Sequence, residues 1–175
     1  MQYLWRVGLE GSEVWRLIAL DGKSDVARAA FLTALSFGYT EGRYAFILNG
    51  QRVEAGERDR VEQLSQSAAL DTLNLKSEDC FDFELTLPSG AVLRHGVRVL
   101  KAEEKLYCLI PSTLVGAHKI VDDGREQNLE NINAYIEESS LDNTLNLREC
   151  TDRMRLVGSE RRDLQDVFSL PVAHA

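Results

Sequence analysis

The chain is short of cysteine, of positive charge and of long apolar runs, and each shortage closes off a class of protein. Its three cysteines, Cys80, Cys108 and Cys150, are an odd set spread far apart with no CxxC pair. That usage suits a reducing cytosol and not a disulfide framework. Against 28 acidic side chains stand 20 Lys and Arg, for a formal charge of −8 and a pI near 4.9. A net negative field repels phosphate backbones at long range, so non-specific nucleic-acid binding is disfavoured, although a local basic stripe can override the net value. The opening stretch MQYLWRVGLEGSEVWRLIAL is broken by Arg6, Glu10, Glu13 and Arg16. No apolar run approaches the roughly 18–20 residues of a transmembrane helix and no signal-peptide core stands out, so the expectation is a soluble cytoplasmic protein with no membrane contact.

Several chemical signatures are missing as well. No GxSxG elbow presents a nucleophilic serine, and the cysteines lie in strand-like or helical apolar contexts that suit inert thiols. Neither a P-loop nor a GxGxxG supplies a phosphate cradle. No HExxH, CxxC or HxH spacing gathers the three or four ligands a metal needs, so no metal and no cofactor is expected. Internal repeats and low-complexity tracts are also missing.

What is present is an ordinary globular composition, 44% hydrophobic and 27% charged over 175 residues. That length fits one domain with an appended segment and buries roughly 70% of the surface exposed by the unfolded chain. The first twenty residues read as a β-hairpin, with Tyr3, Trp5, Val7 and Leu9 on one face, a turn at EGSE, and a second run, VWRLIAL, apolar on both faces and so central in a sheet. Trp5 and Trp15 are both expected to anchor the core. Residues 24–37 form the best helix, with Ser24 as cap, Asp25 favourable to the N-terminal dipole and Gly38 at the C-cap. Asn49-Gly50 predicts a hairpin, because a type I′ turn needs positive φ at both central residues. A weak helix is expected around Leu64 to Leu70. CFDFELTL and AVLRHGVRVL follow as a strand pair joined through Pro88-Ser89-Gly90.

KLYCLIPSTLVG is expected to start as a strand and end in a loop at Pro111. REQNLENINAYIEES is amphipathic, with Leu129, Ile132 and Ile136 on one stripe. From Leu141 the charge density rises, predicting one or two partly exposed helices broken at Gly158, with Ser159 capping the second and SLPVAHA as a frayed tail. Strands and helices mix without a βαβ rhythm and tight turns join strand pairs, which argues α+β with a mainly antiparallel sheet and packed helices. Residues 1–139 form that domain and 140–175 a charged helical extension and tail.

His95 is the one histidine in a clear strand pattern. Leu93, His95, Val97 and Val99 point one way, while Arg94, Gly96 and Arg98 point the other. The imidazole therefore shares the apolar face, where one donor and one acceptor partner would satisfy it. Its chemical alternative is a general base or metal ligand acting with Asp122 or Asp123, with His118 and Cys108 as further candidate ligands. Adjacent acids in a glycine loop most often serve as turn or cap groups. Arg94 and Arg98, with Arg6 or Arg16, would form a small basic strip suited to an anion, and Trp15 joins Arg16 as a binding candidate. The alternative is a solvated sheet face. RECTDRMR and SERRD mix charges at helical spacing, as exposed faces with local ion pairs do.

The order of parts resembles the plasmid pRiA4b open-reading-frame-three-like family, also met as passenger proteins of insertion elements. VWRLIAL, with Trp15 and Arg16, stands at that family's tryptophan-arginine strand, and helix 24–37 follows. GRYAFILNG matches the third element, keeping Phe46 but holding Gly42 and Tyr44 where the family has histidines. LNLKSEDCFDFELTLPSGAVLRHGVRVL matches the approach to the family's signature strand. Aligned on His95, Gly90 falls on the motif glycine, Pro88 and Ala91 on its two aspartates, and Leu93 on its tryptophan. Cys108 in YCLIPS, and Asp122, Asp123 and Gly124 in KIVDDG, stand near the family's acidic-glycine loop. The resemblance covers roughly residues 3 to 137. It implies the family's fold more surely than an activity, since the polar motif residues are the ones replaced.

The expectation is accordingly an interaction module without catalysis, possessing a scaffold whose signature polar groups are gone and associated with plasmid or mobile-element biology. Its partner would be a protein or a second copy, with the segment beyond residue 140 as the contact. Two alternatives stand beside it: a metal-dependent hydrolase using His95 with Asp122 or Asp123, and a DNA-associated accessory protein with a contiguous arginine surface.

Overall fold

Tight connections turn consecutive strands back on one another, and the sheet follows from them. The computed structural model describes residues 1–57, 68–139 and 144–158. Its strands are β1 (Gln2–Leu9), β2 (Trp15–Asp21), β3 (Arg43–Leu48), β4 (Gln51–Glu57), β5 (Cys80–Thr86), β6 (Val92–Glu103) and β7 (Ser112–Ala117). Its helices are α1 (Val26–Phe37), α2 (Leu129–Glu138) and α3 (Leu147–Gly158). Between β3 and β4, Asn49 and Gly50 take φ of 51° and 78°, both positive as a type I′ turn requires. Between β5 and β6, the Leu87 N–H donates to Ala91 O at 2.8 Å around Gly90, whose φ is 94°.

The strands form one antiparallel sheet in the order β4-β3-β5-β6-β1-β2-β7. The fold is α+β. Alternation gives β1, β5 and β6 a wet and a dry face. Tyr3, Trp5 and Val7 of β1, Ile18 and Leu20 of β2, Phe81 and Phe83 of β5, and Val97 and Val99 of β6 are buried in one core. Arg6, Arg94 and Arg98 are exposed on the other face, with Glu84 and Trp15 half-buried among them.

α1 is buried on nearly every side, 11 of its 12 residues being inaccessible. A helix with that burial must be covered twice, and α1 contacts β2, β3 and β4 on one hand and α3 on the other. Ser24 does not cap it. The Val26 N–H donates to Ala68 O at 2.8 Å and the Leu70 N–H to Ser24 O at 2.7 Å, so backbone pairing satisfies the helix start. Asp25 holds the cap position without a side-chain bond. Gly38 ends the helix at φ 89°, its N–H donating to Ala34 O and Leu35 O, as the glycine signal predicts.

Other local expectations are revised. The helix expected at Leu64 to Leu70 falls largely outside the described residues, and Leu70–Leu73 is a short 3-10 turn. Around Pro111 the order is reversed. Residues 104–111 form the loop and β7 begins directly after the proline, which has no N–H to contribute and is tolerated at a strand start. On α2, Asn128 caps by accepting from the Asn131 N–H at 2.9 Å, Ile132 is buried, and Leu129 lies at the more exposed end of the stripe.

α3, in the stretch set apart by its charge, packs onto the domain and does not stand off it. Its Cys150 and Met154 are buried. Thr151 Oγ1 accepts from the Thr113 N–H at 3.1 Å and donates to Thr113 O at 3.3 Å, so the helix covers part of the outer edge of β7. The second helix capped by Ser159, the SERRD charges and the tail lie outside the described residues.

Candidate functional site

His95 faces inward and is fully buried. Its Nδ1 lies 3.0 Å from Phe83 O, and a carbonyl only accepts, so the ring proton sits on Nδ1. Nε2 then accepts from the Tyr39 hydroxyl at 2.7 Å. Phe37, Phe83 and Tyr39 surround the ring at centroid distances of 5.0, 5.1 and 5.5 Å. Burial, outweighing the backbone hydrogen bonds, pulls the imidazole pKa down to about 4, and burial pushes the Tyr39 hydroxyl well up. The pair is a neutral donor–acceptor couple inside an aromatic cage, and both ring nitrogens are committed.

The acids named with it are elsewhere. Asp122 and Asp123 are exposed in the loop after β7. The Asp123 carboxylate accepts from the Arg125 guanidinium at 2.9 Å, which holds it below the ordinary carboxylate range, and Arg125 also bridges to Glu138 at 2.9 Å. His118 Nε2 faces Glu13 at 3.4 Å, and Cys108 is half-buried. Among the described residues no three His, Cys, Asp or Glu side chains gather closely enough to hold a metal ion.

Of the two arginines expected beside Arg94 and Arg98, Arg6 shares their open face and Arg16 does not. Arg6 lies directly opposite Arg98 across β1 and β6, and its guanidinium stacks over Trp15 at 4.9 Å. Acids interleave with the cations. Glu84 accepts from Arg52 at 2.8 Å and lies 3.6 Å from Arg94, and Glu78 accepts from Arg98 Nε at 3.1 Å. Trp15, expected in the core, is on this face. Trp5 alone takes the core position, edge-on to Phe46 and Phe81.

Arg16 is on the other side of the sheet and fully buried. The reason is at the end of α1, whose last turn has no basic residue of its own although its free carbonyls concentrate partial negative charge there. Arg16 Nε donates to Ser36 O at 2.8 Å, and its Nη1 donates to Trp15 O and Ala117 O at 2.9 and 3.0 Å. Arg153 of α3 adds Nε to Leu35 O at 2.8 Å and Nη2 to Ser36 O at 3.4 Å. Gln127 Nε2 donates to Gly38 O at 3.2 Å and Val121 O at 3.0 Å, while its Oε1 accepts from the Thr40 N–H at 3.0 Å. Gly116 leaves room for the arginine stem, since a Cβ there would stand 3.0 Å from Arg16 Cδ.

The Arg16 head is nonetheless incompletely served. Its Nη2 is buried with no hydrogen-bond partner among the described residues. Burial lowers its pKa to about 10, opposed by the Cys150 thiol and Tyr39 and reinforced by repulsion from Arg153. The group remains positive at neutral pH. Beside it lies a cavity of about 240 Å³, walled by Arg16, Arg153, Cys150, Phe37, Ile120 and Leu145. Its exposed rim carries Asp122, Asn146 and Glu149. Sequence reading singled out Arg16 but missed Arg153, Gln127 and Tyr39. The Glu149–Arg153 spacing of four, which places the two on one helix face, was the available signal.

Sheet, helices and cavity together define an α+β protein whose charged concavity sits where α3 meets the end of α1. The crystal structure of a protein of unknown function from Methanosarcina mazei Go1 has a similar fold, with a TM-score of 0.53 at 13% identity over 85% of this chain and 86% of that one. No family model and no curated protein matches the chain.

Proposed function

We propose that this chain is a binding module without catalysis, a divergent relative of the plasmid pRiA4b open-reading-frame-three-like proteins, and that its working site is the cavity between α1 and α3. The observation that carries the reading is the buried, positive Arg16 with an unused Nη2 beside that cavity. An unpaired buried charge costs several kcal/mol, and a ligand that pairs with it recovers part of that cost. A hydrolase using His95 has less support, because both ring nitrogens are engaged and the side chain has no access to solvent. A DNA-binding face has less support too, because Arg94 and Arg98 are matched by Glu84 and Glu78.

The test is a thermal-shift panel of small carboxylates, phosphates, sugars, amines and nucleosides on the parent and on Leu145→Trp, which fills the cavity. A ligand at a hundred times its dissociation constant stabilises by about 2.7 kcal/mol, or roughly 5–10 °C for a chain of this size. At least one class should raise Tm in the parent and do so less in the variant. No response from any class, or equal responses in both proteins, would end the proposal.

A further inference from the structure

We infer that the cavity takes a small organic carboxylate, a monoanion with an apolar tail, held between the guanidinium groups of Arg153 and Arg16. The inference rests on the binding-module reading and adds the ligand class. Charge matching comes first. Arg153 is paired with Glu149 at 3.3 Å, whereas no carboxylate among the described residues lies within ion-pairing distance of Arg16. The side chains lining the cavity sum to one net positive charge, with Arg16, Arg153 and Lys119 against Asp122 and Glu149, which calls for a monoanion and disfavours phosphate dianions and nucleotides.

Geometry agrees. Two guanidinium groups reach the same carbonyl, Ser36 O, at 2.8 and 3.4 Å, so two like charges are held side by side with the Cys150 thiol, 3.5 Å from Arg153 Nη2, as their neighbour and no carboxylate shared between them. A carboxylate has the planar, two-oxygen shape that guanidinium forks bind. The long Arg153 bond to Ser36 is the one such a ligand replaces, and the swing of Arg153 is what opens the way to Arg16 Nη2. The positive end of α3 faces the same space. Asn146 accepts from the Glu149 N–H at 3.1 Å as its cap, and both residues line the cavity. Phe37, Ile120 and Leu145 offer the tail an apolar wall. The volume of about 240 Å³ corresponds to roughly eight waters at about 30 Å³ each, enough for an acid of about nine non-hydrogen atoms.

Benzoate is a probe of that size, and benzamide is its neutral match. Arginine Nε–H signals of the full chain, observed by nitrogen-edited NMR at constant ionic strength, should shift saturably for Arg16 and Arg153 with benzoate. They should stay in place with benzamide and respond far less to inorganic phosphate. Arg153→Gln should weaken benzoate by about tenfold or more, the loss expected for charge-assisted hydrogen bonds, while Arg52→Gln on β4 changes nothing. If Arg153→Gln does not fold, the parent signals decide alone. Equal binding of benzamide, or tighter binding of phosphate, at these same signals refutes the carboxylate class and leaves the binding module standing. Cavity signals that respond to none of the three, in a protein whose panel also gives no ligand, remove both.

Discussion

The protonation of His95 makes a sharp prediction about pH. The imidazole is held neutral with a pKa of about 4, against 6.5 for an unperturbed histidine. Between those values the unfolded chain binds a proton that the folded chain refuses. Stability therefore rises with pH across the window, and is lost as pH falls from 6.5 to 4. At about 1.4 kcal/mol per pH unit for one proton, the window is worth about 3 kcal/mol. Other carboxyl groups also titrate near pH 4, so the effect is isolated by comparison with His95→Leu. At pH 7 the variant leaves the Tyr39 hydroxyl and the Phe83 carbonyl unpaired in the core, at about 1–3 kcal/mol each, partly offset by the added apolar burial of leucine. The parent should then be more stable by about 2–4 kcal/mol. Urea unfolding of both proteins at half-unit steps from pH 7.5 to 4 should show that gap shrinking by about 3 kcal/mol. Parallel curves would mean that His95 is not held neutral, and the cage argument would fail with it.

The clamp at the end of α1 supplies further expectations. Gln127→Leu removes bonds to Thr40, Gly38 and Val121 and should cost about 2–4 kcal/mol by urea unfolding. Arg16→Met keeps the stem but removes the Arg16 bonds to Trp15 O and Ala117 O and leaves Ser36 O with only the long bond from Arg153. It should cost about 2–4 kcal/mol, more than any change among the surface arginines. Gly38→Ala places a Cβ at φ 89° and should lower stability by about 1 kcal/mol. The double change Arg94→Gln with Arg98→Gln should alter stability by less than about 1 kcal/mol, since both arginines are exposed. It should also leave retention on DNA columns unchanged at every salt concentration; a large loss of retention would restore the nucleic-acid reading.

What was legible in the chain was local. Period-two alternation placed His95 on the dry face with Leu93 and Val97, and the turn chemistry of Asn49-Gly50 and the C-cap glycine Gly38 act through neighbours a few residues away. The site was not legible, because its parts meet only in three dimensions. Arg16 touches Ser36 and Ala117, and Arg153 touches Leu35, across separations of 20, 101 and 118 residues. On β2, hydropathy alone would send Trp15 inward and Arg16 outward. The strand does the opposite, because the end of a helix that lacks its own cation waits beneath Arg16. The seating of α3 was not legible for a related reason. Its charges are abundant, but the two described side chains it buries, Cys150 and Met154, sit four apart and suffice to seat it.

The split between Trp5 and Trp15 gives the molecule two optical reporters with different surroundings. Trp5, sealed between Phe46 and Phe81, should emit blue-shifted light, resist acrylamide and change only when the whole core opens. Trp15, lying under Arg6 at the wet side of the sheet, should emit to the red and be quenched first. A partner settling on that face would dim or shift the second lamp and leave the first untouched.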